Sequence, residues 1–345
     1  MKRLTLPTLL GLAHGASDAA AGFLIARILL TGDADGGVLI MIYNALAFGL
    51  QPITGLMLDQ LHFAKRGAAL SLLLCAVGMA LSAANLRLAI LCTGIGSAFF
   101  HPGAGGVAIA NTPDRASGPG VFAAFGVVGL AFGTHSAILD SSIVTVGWMT
   151  VLIVCAIAIW LMPEVQSSVH GPAAVNVTPD AWTIMLLGGL ALRSFVWVAS
   201  KSGVSDMTVA ALWVACFAGA GKLLGGFLAD QFGWLRWTVS ALFISIPLLA
   251  FSSSGLPFLL AGVFLLQSAT APTLAWLGQR LSGSPSLAAG IGLGLAVIVG
   301  GLPVLLIASE QIYTPFVIAI AAGISLLLHW LALSKPAPVE PAQAA

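Results

Sequence analysis

His14 and Asp18 stand four residues apart in an otherwise apolar run, so on a helix they share one face. An imidazole beside a carboxylate is a proton-handling pair, because imidazole titrates near neutrality and the carboxylate can hold or pass the proton. His101, in a later apolar run, is a third group of the same kind, and Pro102 and Gly103 after it loosen a helix and expose backbone carbonyls. Arg193 lies in the stretch Leu192-Arg193-Ser194. Its guanidinium is a permanent cation whose forked donors suit a carboxylate or phosphonate. Two further carboxylates, Asp59 and Asp230, each end an apolar run and precede basic residues, Lys65 and Arg66 in one case and Arg236 in the other. A carboxylate so placed either pairs with a base or caps the N-terminus of a neighbouring helix.

These residues must be carried by membrane-spanning helices. The chain has 345 residues, of which 59% are hydrophobic and 7% charged. Soluble domains carry roughly a quarter charged residues, so lipid has to be the solvent for much of this surface. A net charge of +1 gives no reason to expect a nucleic-acid partner. Cys75, Cys92, Cys155 and Cys216 all sit inside apolar runs without CxxC pairing and read as small core residues, not disulfides or metal ligands. The basic start is followed by His14, Asp18 and Arg27, so the first apolar run reads as a span and not as a cleavable signal.

At about 20 residues per crossing the pattern predicts twelve spans. They fall near 8–30, 37–58, 67–84, 88–110, 118–138, 143–162, 182–200, 206–229, 236–252, 256–279, 287–307 and 313–333. Ten is the competing count. With twelve spans and a cytoplasmic N-terminus, Lys2, Arg3, Lys65, Arg66, Arg115, Arg236, Arg280 and Lys335 fall inside, and only Arg87 and Lys201 fall in external loops. The polar stretch 163–181 divides the chain into a six-helix bundle over 1–162 and a second over 182–335, followed by a tail at 336–345. Both termini are then cytoplasmic, in a multi-pass protein of a bacterial inner membrane.

The two halves share a pattern. Gly55-Leu-Met-Leu-Asp59 and Gly225-Gly-Phe-Leu-Ala-Asp230 both end the second span of a half. The second copy, continued by Gln231-Phe232-Gly233, resembles the cytoplasmic signature loop of the major facilitator superfamily. In the first copy the step from Asp59 to Lys65 is longer and the downstream glycine is missing. Gly94-Ile-Gly-Ser-Ala-Phe-Phe-His101-Pro102, together with Leu192-Arg193-Ser194, resembles the fosmidomycin-resistance branch of that superfamily. The fifth span offers Gly126, Gly129 and Gly133 without the proline of the drug-antiporter signature, which argues against a multidrug role.

The resemblance implies an all-α fold of two pseudo-symmetric six-helix bundles, with spans 1, 4, 7 and 10 around a central cavity. His14, Asp18, His101 and Arg193 fall on the first three of these, and the tenth adds Gln267, Thr270, Thr273 and Trp276 with a kink at Pro272. Asp18, His14 and His101 are the candidate proton-coupling residues. Arg193, Trp197, Gln267, Thr273, Trp276 and Asn44 are the candidate substrate contacts. Asp59, Arg66, Asp230 and Arg236 are the candidate gating charges. Lys222, His135, Asp140 and Glu310 read as structural or interfacial.

The expected activity is secondary transport of a small organic solute, anionic or drug-like, by alternating access and driven by protons outward. Uptake by symport and a non-transporting receptor or scaffold are the alternatives. The expected partners are a small-molecule substrate, the proton and the lipid bilayer, for a monomeric protein. No HExxH, GxSxG or cysteine–histidine spacing points to an enzyme, a cofactor or a metal.

Overall fold

The computed structural model describes residues 4–32, 34–139, 141–163, 180–201, 204, 208–281, 283–306 and 314–335, with side chains in 302–306 excepted. Most of the segment expected as a linker, the tail at 336–345, Lys2, Arg3, Asp140 and Glu310 lie outside them.

Among the described residues ten helices are long and apolar enough to cross a bilayer. They are α1 Thr5–Thr31, α2 Gly36–Gln60, α3 Ala64–Leu81, α4 Leu86–Asn111, α5 Ser117–Leu139, α6 Ser142–Leu161, α7 Ala181–Ser200, α8 Val209–Phe232, α10 Leu256–Arg280 and α12 Pro315–Leu333. Two shorter apolar helices, α9 Trp234–Ala250 and α11 Pro285–Gly301, complete a set of twelve in the predicted places. The outward faces are apolar, with Ile143, Leu161, Val209 and Phe316 all largely exposed. In lipid that exposure is favourable, whereas an unsatisfied backbone group costs several kcal/mol.

The core follows chain order. One apolar cluster runs from Leu10 to Ile159, joined from further on by buried Leu274 and half-buried Leu293, and another runs from Val196 to Ala322. Because lipid tails are as apolar as leucine, the helices are drawn together by close packing and polar bonds. The tightest seam joins α1 to α5. A Cβ on Gly129 would fall on the Gly15 carbonyl, one on Gly133 on the Ala19 carbonyl, and one on Gly126 on the His14 ring. The three glycines noted for lacking a proline are thus the groove into which α1 fits.

Helix irregularities are covered locally. Pro102 cannot donate to the carbonyl of Ala98, and the hydroxyl of Thr54 on α2 donates to that carbonyl at 2.6 Å. Pro272 likewise leaves the Ser268 carbonyl free, and α10 breaks at Ala269. Gly225 of α8 sits against that carbonyl. The packed pair α2 and α11 each contain one π-helical stretch, Ala45–Gly49 and Gly290–Leu295. The Ala47 carbonyl in the first accepts from Gln51 Nε2 at 2.6 Å.

The ends pair in accord with the predicted alternation. Arg87 and Asp35 meet at 2.8 Å on one side. On the other, Lys65 donates to the Met162 carbonyl at the end of α6, and Arg280 meets Asp180 at 2.5 Å. Asp180 also caps α7 through Thr183. Slight burial pushes its carboxyl up, but the Thr183 hydrogen bonds and the Arg280 charge hold it below the usual carboxylate range. This end tie is therefore present above that range and lost as the pH falls through the depressed value.

Gly129→Ala is expected to lower the thermal unfolding midpoint of purified protein by forcing α1 and α5 apart, at a cost of about 1–3 kcal/mol. Gly147→Ala, where a methyl meets nothing within 4 Å, should leave the midpoint unchanged or raise it. Equal behaviour of the two variants would remove the seam from the account.

Candidate functional site

Asp18 lies at the middle of the 27-residue α1, and its side chain, 18% exposed, is clamped between two imidazoles. His14 Nε2 is 3.3 Å from one carboxylate oxygen and His101 Nε2 is 3.1 Å from the other. The first contact is the same-face pair that the i,i+4 spacing predicts. The second comes from α4. Both histidine side chains are buried.

The far side of each ring is fixed as well. His14 Nδ1 is 3.0 Å from the Phe122 carbonyl on α5, and His101 Nδ1 is 2.9 Å from the Ser97 carbonyl one turn back. A carbonyl only accepts, so in the tautomer that makes these bonds each Nδ1 carries its proton and donates it; at His101 the Ser97 hydroxyl, 3.1 Å from the same Nδ1, offers a donor for the other tautomer. With Nδ1 protonated, each Nε2 bears a hydrogen only when its ring is charged. The two Nε2–carboxylate contacts therefore need one shared proton apiece, and removing one leaves a lone pair facing a lone pair. Phe122 stacks on His14 at 4.5 Å, and Phe100 lies edge-on to His101 at 5.7 Å, so the rings sit in an apolar frame. Ser97 also bonds Tyr43.

Arg193 is buried at 5% exposure on α7. It does not join Asp18. Its guanidinium donates to Gln267 Oε1 at 3.1 Å and to Thr270 Oγ1 at 3.0 Å, both on α10. Thr270 Oγ1 in turn donates to Gln267 Oε1 at 3.2 Å. These partners are neutral, and the Arg193 Nε–H has none. Among the described residues no carboxylate pairs with this guanidinium. Lys222 on α8, partly buried, acts electrostatically on Arg193 and Asp18. The groups around Arg193 and Asp18 among the described residues are two basic side chains, the imidazoles of His14, His101 and His329, and a single carboxylate, an imbalance that is costly unless an anion supplies the difference.

The other candidates are distributed more loosely. Thr273 is buried and its hydroxyl is turned back to the Ala269 carbonyl. Trp276 lies under the Arg280 guanidinium at 4.5 Å, and Lys201 lies over Trp197 at 5.3 Å. Asn44 donates to the Ile40 carbonyl within its own helix at 2.8 Å. Sequence reasoning left Tyr43, Ser97 and Phe122 unnamed and treated Lys222 as structural. Only the glycines of α5 carried a signal that this helix approaches the pair on α1.

Asp59 and Asp230 are helix caps. Asp59 accepts from the N–H groups of Ser286 and Leu287, at 3.0 and 2.8 Å, at the start of α11. Asp230 accepts from those of Ala116 and Ser117, at 2.7 and 3.1 Å, at the start of α5. Each contact joins one of the first six helices to one of the last six, in reciprocal sense. Gly55 abuts Ser286, and Gly226 abuts Ala116, so the backbones touch where the carboxylates grip. Of the two roles open to these carboxylates, capping is the one realised. Arg66 lies over the Trp160 ring at 5.8 Å, and Arg236 is exposed.

No family model matches this sequence, and neither does any curated protein. Solved structures do match in fold. A variant of the E. coli fucose:proton symporter FucP superposes with a TM-score of 0.76 at 14% identity, covering 96% of this chain and 98% of that one. A structure of the major facilitator superfamily transporter FucP in the outward conformation gives 0.72 at 16% identity with the same coverage. The chain therefore has the major facilitator fold: all-α and multi-pass, with ten membrane-length and two shorter apolar helices among the described residues.

Asp230→Ala and Asp59→Ala should each remove a cap worth about 1 kcal/mol. A cysteine placed at Ser286 or Ala116 is then expected to react several-fold faster with a membrane-impermeant thiol reagent. Unaltered labelling in both variants would mean that the caps do not hold this side shut.

Proposed function

We propose that the protein is a secondary active transporter that moves a small organic anion across the membrane in exchange for, or together with, protons. The observation that carries this reading is Arg193: a deeply buried cation whose hydrogen-bond partners among the described residues are the neutral groups Gln267 and Thr270. A guanidinium kept in such surroundings is stabilised by an anionic ligand that shares its free donor edge. Gln267 and Thr270 orient the fork, Lys222 adds positive potential, and Trp197, one turn beyond Arg193 on α7, is placed to flank a solute, whereas Trp276 packs under Arg280.

The Asp18 cluster supplies the coupling. Its two proton-dependent contacts join α1 to itself and to α4, so a change in proton number alters how these two helices hold together. Helices α1 and α4 pair through Asp18 and His101, and α7 and α10 through Arg193 and Gln267, at corresponding places in the proposed six-helix units 1–162 and 182–335. Alternating access is then the rocking of one unit on the other, with Asp59 and Asp230 as the ties that break when their side opens. That side is cytoplasmic in this reading, supported by the collection there of Lys65, Arg66, Arg115, Arg236, Arg280 and Lys335. We place the protein in a bacterial inner membrane as a monomer.

Outward transport is favoured by the resemblance of 94–102 and 192–194 to the fosmidomycin-resistance branch. Inward symport is favoured by the activity of the fucose:proton symporter that shares the fold. Everted vesicles separate the two: accumulation of solute on imposing an inside-acid gradient supports export, and loss of preloaded solute supports uptake.

Two substitutions test the assignment of roles. Asp18→Asn should abolish gradient-driven accumulation while leaving solute counterflow in place; retained accumulation would take Asp18 out of the coupling. Arg193→Ala should raise the KM for carboxylate and phosphonate solutes about 10–100-fold, in line with the loss of a charge-assisted bond, and should leave neutral solutes unaffected. An equal loss for both kinds of solute would count against an anion site.

A further inference from the structure

We propose that His14, His101 and Asp18 together form a binding site for a divalent transition-metal cation of the zinc class. This inference does not depend on the transport reading.

The donor atoms are already assembled. The two Nε2 atoms and an Asp18 oxygen all lie within 4.8 Å of one another, and the two nitrogen–oxygen separations are 3.3 and 3.1 Å. Zinc takes imidazole nitrogen at about 2.0–2.1 Å and carboxylate oxygen at about 2.0–2.2 Å in a tetrahedron, which sets neighbouring ligand atoms roughly 3.3 Å apart. The observed separations are of that size, but they run to different oxygens, His14 to Oδ2 and His101 to Oδ1, so a single ion takes both carboxylate oxygens or a small turn of the Asp18 side chain.

The direction of the lone pairs agrees. With the Nδ1 protons on the Phe122 and Ser97 carbonyls, loss of the Nε2 protons to an incoming cation leaves both rings with a lone pair turned towards the carboxylate. A histidine whose remote N–H is tied to a backbone carbonyl is the usual arrangement around a bound metal, since it fixes tautomer and ring orientation. The rings meet at 87° with centroids 4.7 Å apart, edge to face, which lets them approach one point without stacking.

The surroundings are consistent with a cation held by few ligands. Gly126 lies against the donors, and a methyl there would strike His14 Nε2 and Asp18 Oδ2. Glycine thus keeps side-chain bulk away from the point where the donors converge. Three protein ligands leave a fourth position for water or for a donor atom of a solute. Two imidazoles with one carboxylate suit zinc, cobalt, nickel or iron(II), whereas magnesium and calcium prefer oxygen alone. The apolar rings of Phe100 and Phe122 around the histidines limit solvent and strengthen the charge attraction.

The test uses the full-length protein, stripped of metal in detergent. Titration with Co²⁺ should give one equivalent per chain with the intense visible bands of a four-coordinate ion, displaced by Zn²⁺. His14→Gln, His101→Gln and Asp18→Asn should each weaken Zn²⁺ binding by about a hundredfold or more, the upper end of what even indirect ligand changes cause. His135→Gln, at a histidine bonded within its own helix, should leave binding unchanged. X-ray absorption on the wild-type Zn²⁺ complex should report two imidazoles, a readout that needs no variant to fold. Absence of a stoichiometric four-coordinate Co²⁺ spectrum, binding that survives loss of both histidines, or a zinc shell with fewer than two imidazoles would overturn the inference. A protein that transports solute but binds no metal would refute this site alone. One that binds metal but moves no solute would refute the transport reading alone.

Discussion

Inside a bilayer nothing pushes helices together as water does in a soluble protein, so contact has to come from backbones that approach closely and from polar groups that find each other. The seam between α1 and α5 is where this constraint is met most tightly. Gly126, Gly129 and Gly133 let the turns of α1 lie directly on α5, and the rest of the site follows from that approach. It places Asp18 inside the bundle and brings the Phe122 carbonyl to His14. It also leaves the His14–Asp18 pair facing α4, where His101 completes the cluster. The same constraint explains the Thr54 hydroxyl on Ala98: the carbonyl freed by Pro102 has no water to turn to.

The two ends of the interior differ in chemistry although they are built on corresponding helices. In the first six helices a carboxylate is neutralised by two imidazoles whose orientation is fixed from behind. In the last six a guanidinium is held by an amide and a hydroxyl, with its Nε–H left unbonded. An unpaired buried charge costs far more than a paired one. In the proposed transport reading Asp18 exchanges one bound cation for another, and Arg193 takes up an anion.

On one side of the molecule the carboxylates of Asp59 and Asp230 bridge the two sets of helices by seizing the N-terminal N–H groups of α11 and α5. These are charge–dipole bonds to backbone, so they depend on the position of a helix end and not on the rotamer of a partner side chain. Such a contact is made or lost by moving the helix as a body. The π-helical stretches in α2 and α11 lie along the same contact, at the sort of local irregularity that recurs where helices do something other than support.

Composition and apolar run lengths alone determined that the chain is a bundle of membrane-spanning helices, because each crossing takes about twenty consecutive residues whatever surrounds it, but left ten and twelve as competing counts. The i,i+4 spacing of His14 and Asp18 fixed their shared face, Pro272 marked the break in α10, Pro102 marked a freed carbonyl within an unbroken α4, and the paired Gly…Asp motifs marked the ends of α2 and α8. These are properties of residues close together in the chain. Only the tertiary structure decided that Asp18 faces His101 and not Arg193, that Thr270 and Gln267 receive the guanidinium, and that Asp59 and Asp230 cap helices and do not pair with Arg66 and Arg236. Helix rotation is set by the sum of all packing contacts, and the deciding partners are in part backbone groups, Phe122 and Ser97 carbonyls or Ser286 and Ala116 amides. Every residue carries such a group, so no side-chain pattern in the sequence can single out the ones that matter.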